Sequence, residues 1–191
     1  MGNEGGGVPT DCEELTSADI EGDVTLPEGC YDVPQSLVKN DGTVTIEPGA
    51  TFFFGQGAVF SATSGRINAE GTEERPIVFT SREESSGAWG GIVFTTSRSA
   101  DNLFDHVEVR YAGGSPSTGA VLVSADSQIE IRNSLFENND QVGLSVPDGT
   151  SEIVVSDTTF RSNARSIGVH VANAGSLADL TLENNAAGHI A

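Results

Sequence analysis

A short apolar phrase opened by glycine returns at steps of about 24 residues: Gly119-Ala120-Val121-Leu122-Val123, then Gly143-Leu144-Ser145-Val146, then Gly168-Val169-His170-Val171. A second phrase keeps step with it. Ile129-Glu130-Ile131-Arg132-Asn133-Ser134-Leu135-Phe136 aligns with Ile153-Val154-Val155-Ser156-Asp157-Thr158-Thr159-Phe160, and more loosely with the segment that starts at Leu180. That period is the length of a solenoid unit. It is too short for a strand-helix-strand crossover with generous loops and suits one turn of three short strands joined by bends. Phe136 falls over Phe160, and Asn139 over Asn163 with Asn185 following. Stacked, these residues predict an aromatic ladder inside and a ladder of side-chain amides at a bend, where asparagine tolerates a left-handed backbone. A ligand role for the asparagines is the alternative to this structural one.

Helical periodicity is absent, so the chain reads as strands and turns throughout. Residues 19–191 are expected to form one elongated domain of about seven coils, roughly 30 to 35 Å tall at the strand spacing of a sheet. Residues 1–18, opening on a polar, glycine-rich lead, are expected to be a flexible and capping segment. With 28 acidic residues against 9 basic ones the formal charge is -19, which sets nucleic acid and anionic membrane surfaces aside as partners. No apolar run reaches the roughly 20 residues of a membrane span. Cys12 and Cys30 are the only cysteines and match no metal motif. In an exported chain they predict a disulfide, two buried thiols being the alternative. The location expected is extracellular or at the cell surface, with the export signal outside this sequence.

Several segments in order are similar to one known family: Thr45-Ile46-Glu47-Pro48-Gly49-Ala50, the stretch from Gly65 to Gly71, Arg75-Pro76-Ile77-Val78-Phe79-Thr80-Ser81, Trp89-Gly90-Gly91-Ile92-Val93-Phe94, Tyr111-Ala112-Gly113-Gly114 and the asparagine-closed coils. Together they resemble the right-handed parallel β-helix repeat proteins of microbial cell surfaces, often lipoproteins, within the pectate-lyase-like superfamily. The resemblance implies an all-β, right-handed parallel β-helix with an N-terminal cap. It implies no single activity, because that architecture hosts lyases, hydrolases, adhesins and scaffolds alike.

Lyases of this fold work on an outer strand face with carboxylates, calcium and a basic residue. The nearest counterpart here is His106-Val107-Glu108-Val109-Arg110-Tyr111, whose alternation sends His106, Glu108 and Arg110 outward. Glu130 and Arg132 are expected at the matching outward places one coil later. This face is read either as a solvated surface of paired charges or as a site for a sugar acid or calcium. Hydrolases of the fold need paired carboxylates, and Asp105 with Asp126 is the pair to examine first. With Glu108 and Arg110 these are the catalytic candidates, although no catalytic set is assigned. Trp89, the sole indole, is either a sugar platform or a structural seal at a corner.

The expectation is therefore a non-catalytic extracellular module for surface display, adhesion or glycan binding. The alternatives are a carbohydrate-active enzyme, lyase or hydrolase, on an acidic polysaccharide, and a calcium-binding structural module. No cofactor or metal site is assigned, calcium being the ion to consider. Because residues 188–191 look like the opening of a further coil, the C-terminal coil is expected either to associate end to end or to continue into a longer parent chain.

Overall fold

The computed structural model describes residues 9–114 and 118–190. The glycine-rich lead and Ala191 lie outside the described residues, as does part of the insert at residues 113–118. The chain winds as a parallel β-solenoid. Each of the first six coils contributes one strand to each of three sheets, named here sheet B, sheet A and sheet C in the order the chain visits them, and the seventh contributes to sheets A and C. In the fifth coil these strands are Gln128–Arg132, Leu135–Glu137 and Val142–Val146. Sheet A has eight strands, sheet C seven and sheet B six, and every pairing is parallel. The winding runs from Val24–Leu26 to Ala187–Ile190 and completes seven turns.

Alternation along each strand sends one set of side chains inward, and parallel register stacks that set coil upon coil. In sheet A the inward column is Tyr31, Phe52, Phe79, Val109, Phe136, Phe160 and Leu182. Tyr31 and Phe52, Phe52 and Phe79, and Phe136 and Phe160 stack with ring centroids 4.9 to 5.0 Å apart. That spacing is the strand spacing itself, so backbone ladder and ring ladder satisfy one geometry. In sheet B the inward column is Leu26, Ile46, Ala69, Phe104, Ile131 and Val155.

The second repeated phrase keeps its expected register, Ile129 over Ile153 and Phe136 over Phe160. The glycine-opened phrase does not. Val121 stands over Leu144 and Leu122 over Ser145, so Gly119 is level with Val142 rather than Gly143; Gly168 sits over Ser145. The inward apolar side chains set the register, and a glycine without a side chain cannot resist a slip of one residue, as at Gly119, or two, as at Gly168.

In the fourth, fifth and sixth coils the bends between sheets B and A are made around single left-handed residues, His106, Asn133 and Asp157, with φ between 48° and 51°. The bend between sheets A and C carries the amide ladder. Asn139 Nδ2 donates to Asn163 Oδ1 at 2.8 Å, and Asn163 Nδ2 donates to Asn185 Oδ1 at 3.1 Å. Each amide also reaches the sheet-A strand of the coil before it, Asn139 donating to Val109 O, Asn163 to Phe136 O and Asn185 to Phe160 O.

At the first coil Glu13–Glu14 adds a strand to the edge of sheet A, and a 3-10 helix at Ser17–Ile20 lies over the interior. The Cys12–Cys30 disulfide ties this cap to the first sheet-A strand. Lys39 points into the column, wholly buried, with Nζ donating to the carbonyls of Ile20 and Gly22. Burial lowers its pKa, against the opposing pull of Asp41 and Asp23. The only lysine is thus a fastener for the cap, where carbonyl acceptors replace lost water.

Trp-Gly-Gly at residues 89–91 seals the corner between sheets A and C. Trp89 stacks on Phe54 at 4.2 Å, and its Nε1 donates to Arg110 O at 2.8 Å. Gly91 holds φ +117°, and a Cβ there would lie 2.6 Å from Ala120 O, so only glycine lets the coils close up.

Asn163→Ala removes one rung, taking away the acceptor of the Asn139 backbone N–H, one of two acceptors of the Asn139 side-chain amide and the side-chain donor to the Phe136 carbonyl. Urea unfolding should show a loss of about 2–4 kcal/mol. Phe160→Ala should cost about 3–5 kcal/mol. A loss under 0.5 kcal/mol at Asn163 would show that water replaces the rung.

Candidate functional site

The outward residues of sheet A form a column of alternating charge, Arg110, Glu137, Arg161 and Glu183, stacked by register. Glu137 is buried between the two arginines: Oε1 lies 3.0 Å from Arg110 Nε and Oε2 lies 2.6 Å from Arg161 Nη2. Arg110 Nη2 also reaches Glu108 Oε2 at 2.7 Å. The hydrogen bond and charge of Glu137 raise the pKa of Arg161 further above its ordinary value. Parallel stacking would place like charges one strand spacing apart, and alternation of sign turns that repulsion into a chain of ion pairs.

Around the bend, Asp105 forms a second cluster. Arg132 Nε donates to Asp105 Oδ2 at 2.9 Å, Asn133 Nδ2 donates to Oδ1 at 2.8 Å, and His106 Nδ1 lies 2.9 Å from Oδ1. Burial pushes the Asp105 carboxyl up, but the hydrogen bonds from Asn133 and Arg132 outweigh it and hold the pKa below the usual value. Arg132 turns its other arm to Glu130, Nη1 to Oε1 at 2.7 Å.

Glu108 and Arg110 are outward and half-buried on sheet A, as the alternation predicts. His106 is not on that strand; it is the left-handed residue of the bend. Glu130 and Arg132 do not continue the Glu108–Arg110 face. They belong to sheet B, where Glu130 stands over Leu103 and Arg132 over Asp105. The places one coil beyond Glu108 and Arg110 are Leu135 and Glu137. A single left-handed residue turns the chain onto another sheet and restarts the alternation, which no count along the sequence registers.

Asp105 and Asp126 do not converge. Asp105 pairs with Arg132 at one end of the sheet-B strands, whereas Asp126 precedes Gln128 at the other end, in a left-handed turn and paired with Arg98. Six residues of extended chain separate the two positions, roughly 20 Å. Trp89 is wholly buried and presents no ring face to a ligand. Phe53 points outward but is covered, with the Arg82 guanidinium 4.6 Å from its ring centre. Arg82 also holds Asp32, Nη2 to Oδ1 at 2.7 Å, and reaches Pro9 O and the Cys12 sulfur in the cap. No group of three or more His, Cys, Asp or Glu side chains fit to hold a metal occurs among the described residues.

Glu137 and Arg161 were missed as site residues. Their signal was present in the aligned repeats, where opposite charges follow the stacked phenylalanines. Asp148 lies in the bend after Val142–Val146, and its work lies between coils. Its carboxylate accepts from the backbone N–H groups of Ala125 at 2.9 Å, Thr150 at 3.0 Å and Ser151 at 2.9 Å. Burial raises its pKa, yet hydrogen bonds from Ser151, Thr150 and Ala125 prevail and lower it from 3.8 to about 2.

Residues 18–110 match the family model described as a pectate-lyase like beta helix domain. The parallel solenoid agrees with the pectate-lyase-like superfamily. No curated protein and no solved structure matches the chain. The match ends at Arg110, and the coils beyond it continue the same three sheets. No helix among the described residues is long and apolar enough to cross a membrane.

A carboxyl with a depressed pKa stabilises the fold fully above its unfolded value and ceases to do so as pH falls through the folded one. Asp148 should therefore contribute about 1–2 kcal/mol at pH 7, allowing for its partial exposure, and that contribution should fade between pH 3.8 and about 2. Asp148→Asn should be less stable than wild type at pH 7, and the difference should close near pH 2 in parallel denaturation series. A difference independent of pH would remove the charge from the explanation.

Proposed function

We propose that this chain is a non-catalytic, exported β-solenoid module that holds a rigid outer surface for display and glycan binding. One observation carries the reading: the carboxylates best placed for chemistry are engaged by guanidinium groups. Glu108 is held by Arg110, Glu137 by Arg110 and Arg161, Asp105 by Arg132, and Asp126 by Arg98. A hydrolase needs two carboxyl groups facing one bond, and a lyase of this fold needs carboxylates open to calcium beside a free base. Here the same groups neutralise one another along the column. A rigid core carrying a surface whose charges are satisfied within the fold suits display and recognition.

The pectate-lyase-like fold supports a connection to carbohydrate, and the disulfide is compatible with an extracellular location. The formal charge of -19 works against polyanionic ligands and directs the reading toward uncharged glycans.

A glycan array, run with and without calcium beside a uronate-polymer cleavage assay, tests the proposal. Calcium-independent binding without release of unsaturated or reducing ends is the expected outcome. Product formation that disappears in Glu108→Gln or Arg110→Ala would establish an enzyme and overturn it.

A further inference from the structure

Sheet B stops one coil before its neighbours, with six strands where sheets A and C continue into the seventh coil. In place of a seventh strand, Val171–Ser176 forms a 3-10 helix that stands beside the last sheet-B strand. It rejoins the sheet only at the bridge of Leu177 with Val155. A groove of about 380 Å³ opens there, floored by Gln128, Glu130, Glu152 and Val154 and walled by Asn173 and Ser176. That volume lies within the range of small-ligand sites.

Its lining differs from the ion-paired column on sheet A. Asn173 is 6% exposed; its Nδ2 donates to Asp148 O at 3.2 Å, and its Oδ1 accepts no hydrogen bond among the described residues. The side-chain amide of Gln128 likewise has no hydrogen-bond partner among them. An amide oxygen that lines the groove and has no donor within the fold can accept a hydrogen bond from a ligand hydroxyl. Val154 in the floor is 54% exposed, and Ala172 of the short helix also lines the groove, so apolar surface lies beside these amides. The two carboxylates are already held, Glu130 by Arg132 and Glu152 by Arg98. The lining itself contains no cation.

We infer that this groove is a binding site for a neutral saccharide. A sugar ring offers a C–H face to Val154 and hydroxyls that can donate to Asn173 Oδ1 and exchange hydrogen bonds with the Gln128 amide. A uronate would bring its charge beside Glu130 and Glu152 with no free cation to receive it. A purely apolar ligand would leave the amides unmatched. This assignment rests on the glycan-binding reading of the module and places that binding on sheet B instead of sheet A.

The test uses the full chain and a panel of neutral gluco-, manno- and galacto-oligosaccharides beside uronate oligomers. The best binder is then titrated calorimetrically against wild type, Val154→Lys, Gln128→Ala and Glu108→Gln. Val154 and Gln128 point outward on strands, so both substitutions should leave the thermal midpoint unchanged, which circular dichroism checks. A rise in Kd of about tenfold or more in Val154→Lys, a smaller rise in Gln128→Ala and no change in Glu108→Gln would support the site. Binding weakened only by Glu108→Gln would overturn the groove while leaving a glycan-binding module. Binding confined to uronate oligomers would overturn the neutral class. No binding to any saccharide would sink the glycan reading and the groove with it.

Discussion

Everything in this molecule depends on one coincidence of length. Parallel strands lie about 4.8 Å apart, and stacked aromatic rings and hydrogen-bonded amides are content at nearly the same distance. The rings of Phe136 and Phe160 lie 4.9 Å apart, and asparagines set one strand spacing apart bring Asn139 Nδ2 within 2.8 Å of Asn163 Oδ1. Backbone hydrogen bonds, core packing and corner geometry therefore favour a single register. A substitution that breaks the match at one position acts on three kinds of interaction together.

The same regularity creates a problem on the outside, because identical repeats would stack identical charges. Sheet A answers with alternation, Glu137 pairing with Arg110 and Arg161 and Glu183 standing next in register. This consumes acidic and basic groups that a catalytic site would keep apart and available. Where the regularity fails, at the helix replacing a sheet-B strand in the seventh coil, the amides of Asn173 and Gln128 and the exposed Val154 line one groove. The chemical difference between those two surfaces follows from whether the repeat continues or breaks.

The first coil solves a different difficulty, the open end of a column. A 3-10 helix covers the interior, Lys39 fastens it through the carbonyls of Ile20 and Gly22, and the Cys12–Cys30 bridge holds the segment to sheet A. Closing a loop of that size contributes about 3 kcal/mol in the chain-entropy account. Arg82 adds a link from a later coil, reaching Asp32, Pro9 and the Cys12 sulfur while lying over Phe53. A cap that covers Phe53 leaves no exposed aromatic platform there.

The sequence by itself determined the parallel solenoid, its number of coils, the phenylalanine and asparagine ladders and the expectation of a disulfide. These depend on residue type at a fixed interval, and an interval can be read without coordinates. It misplaced Glu130 and Arg132 beside Glu108 and Arg110, paired Asp105 with Asp126 and slipped the glycine-opened strand. Only the tertiary structure decided those matters, because one left-handed residue such as His106 sends the chain to a new sheet and resets which side chains face outward. The groove beside Asn173 was equally out of reach, since it arises where a strand expected from the period is absent and a short helix takes its place. Spacing along the chain reports what repeats, whereas a surface site is made by where the chain turns.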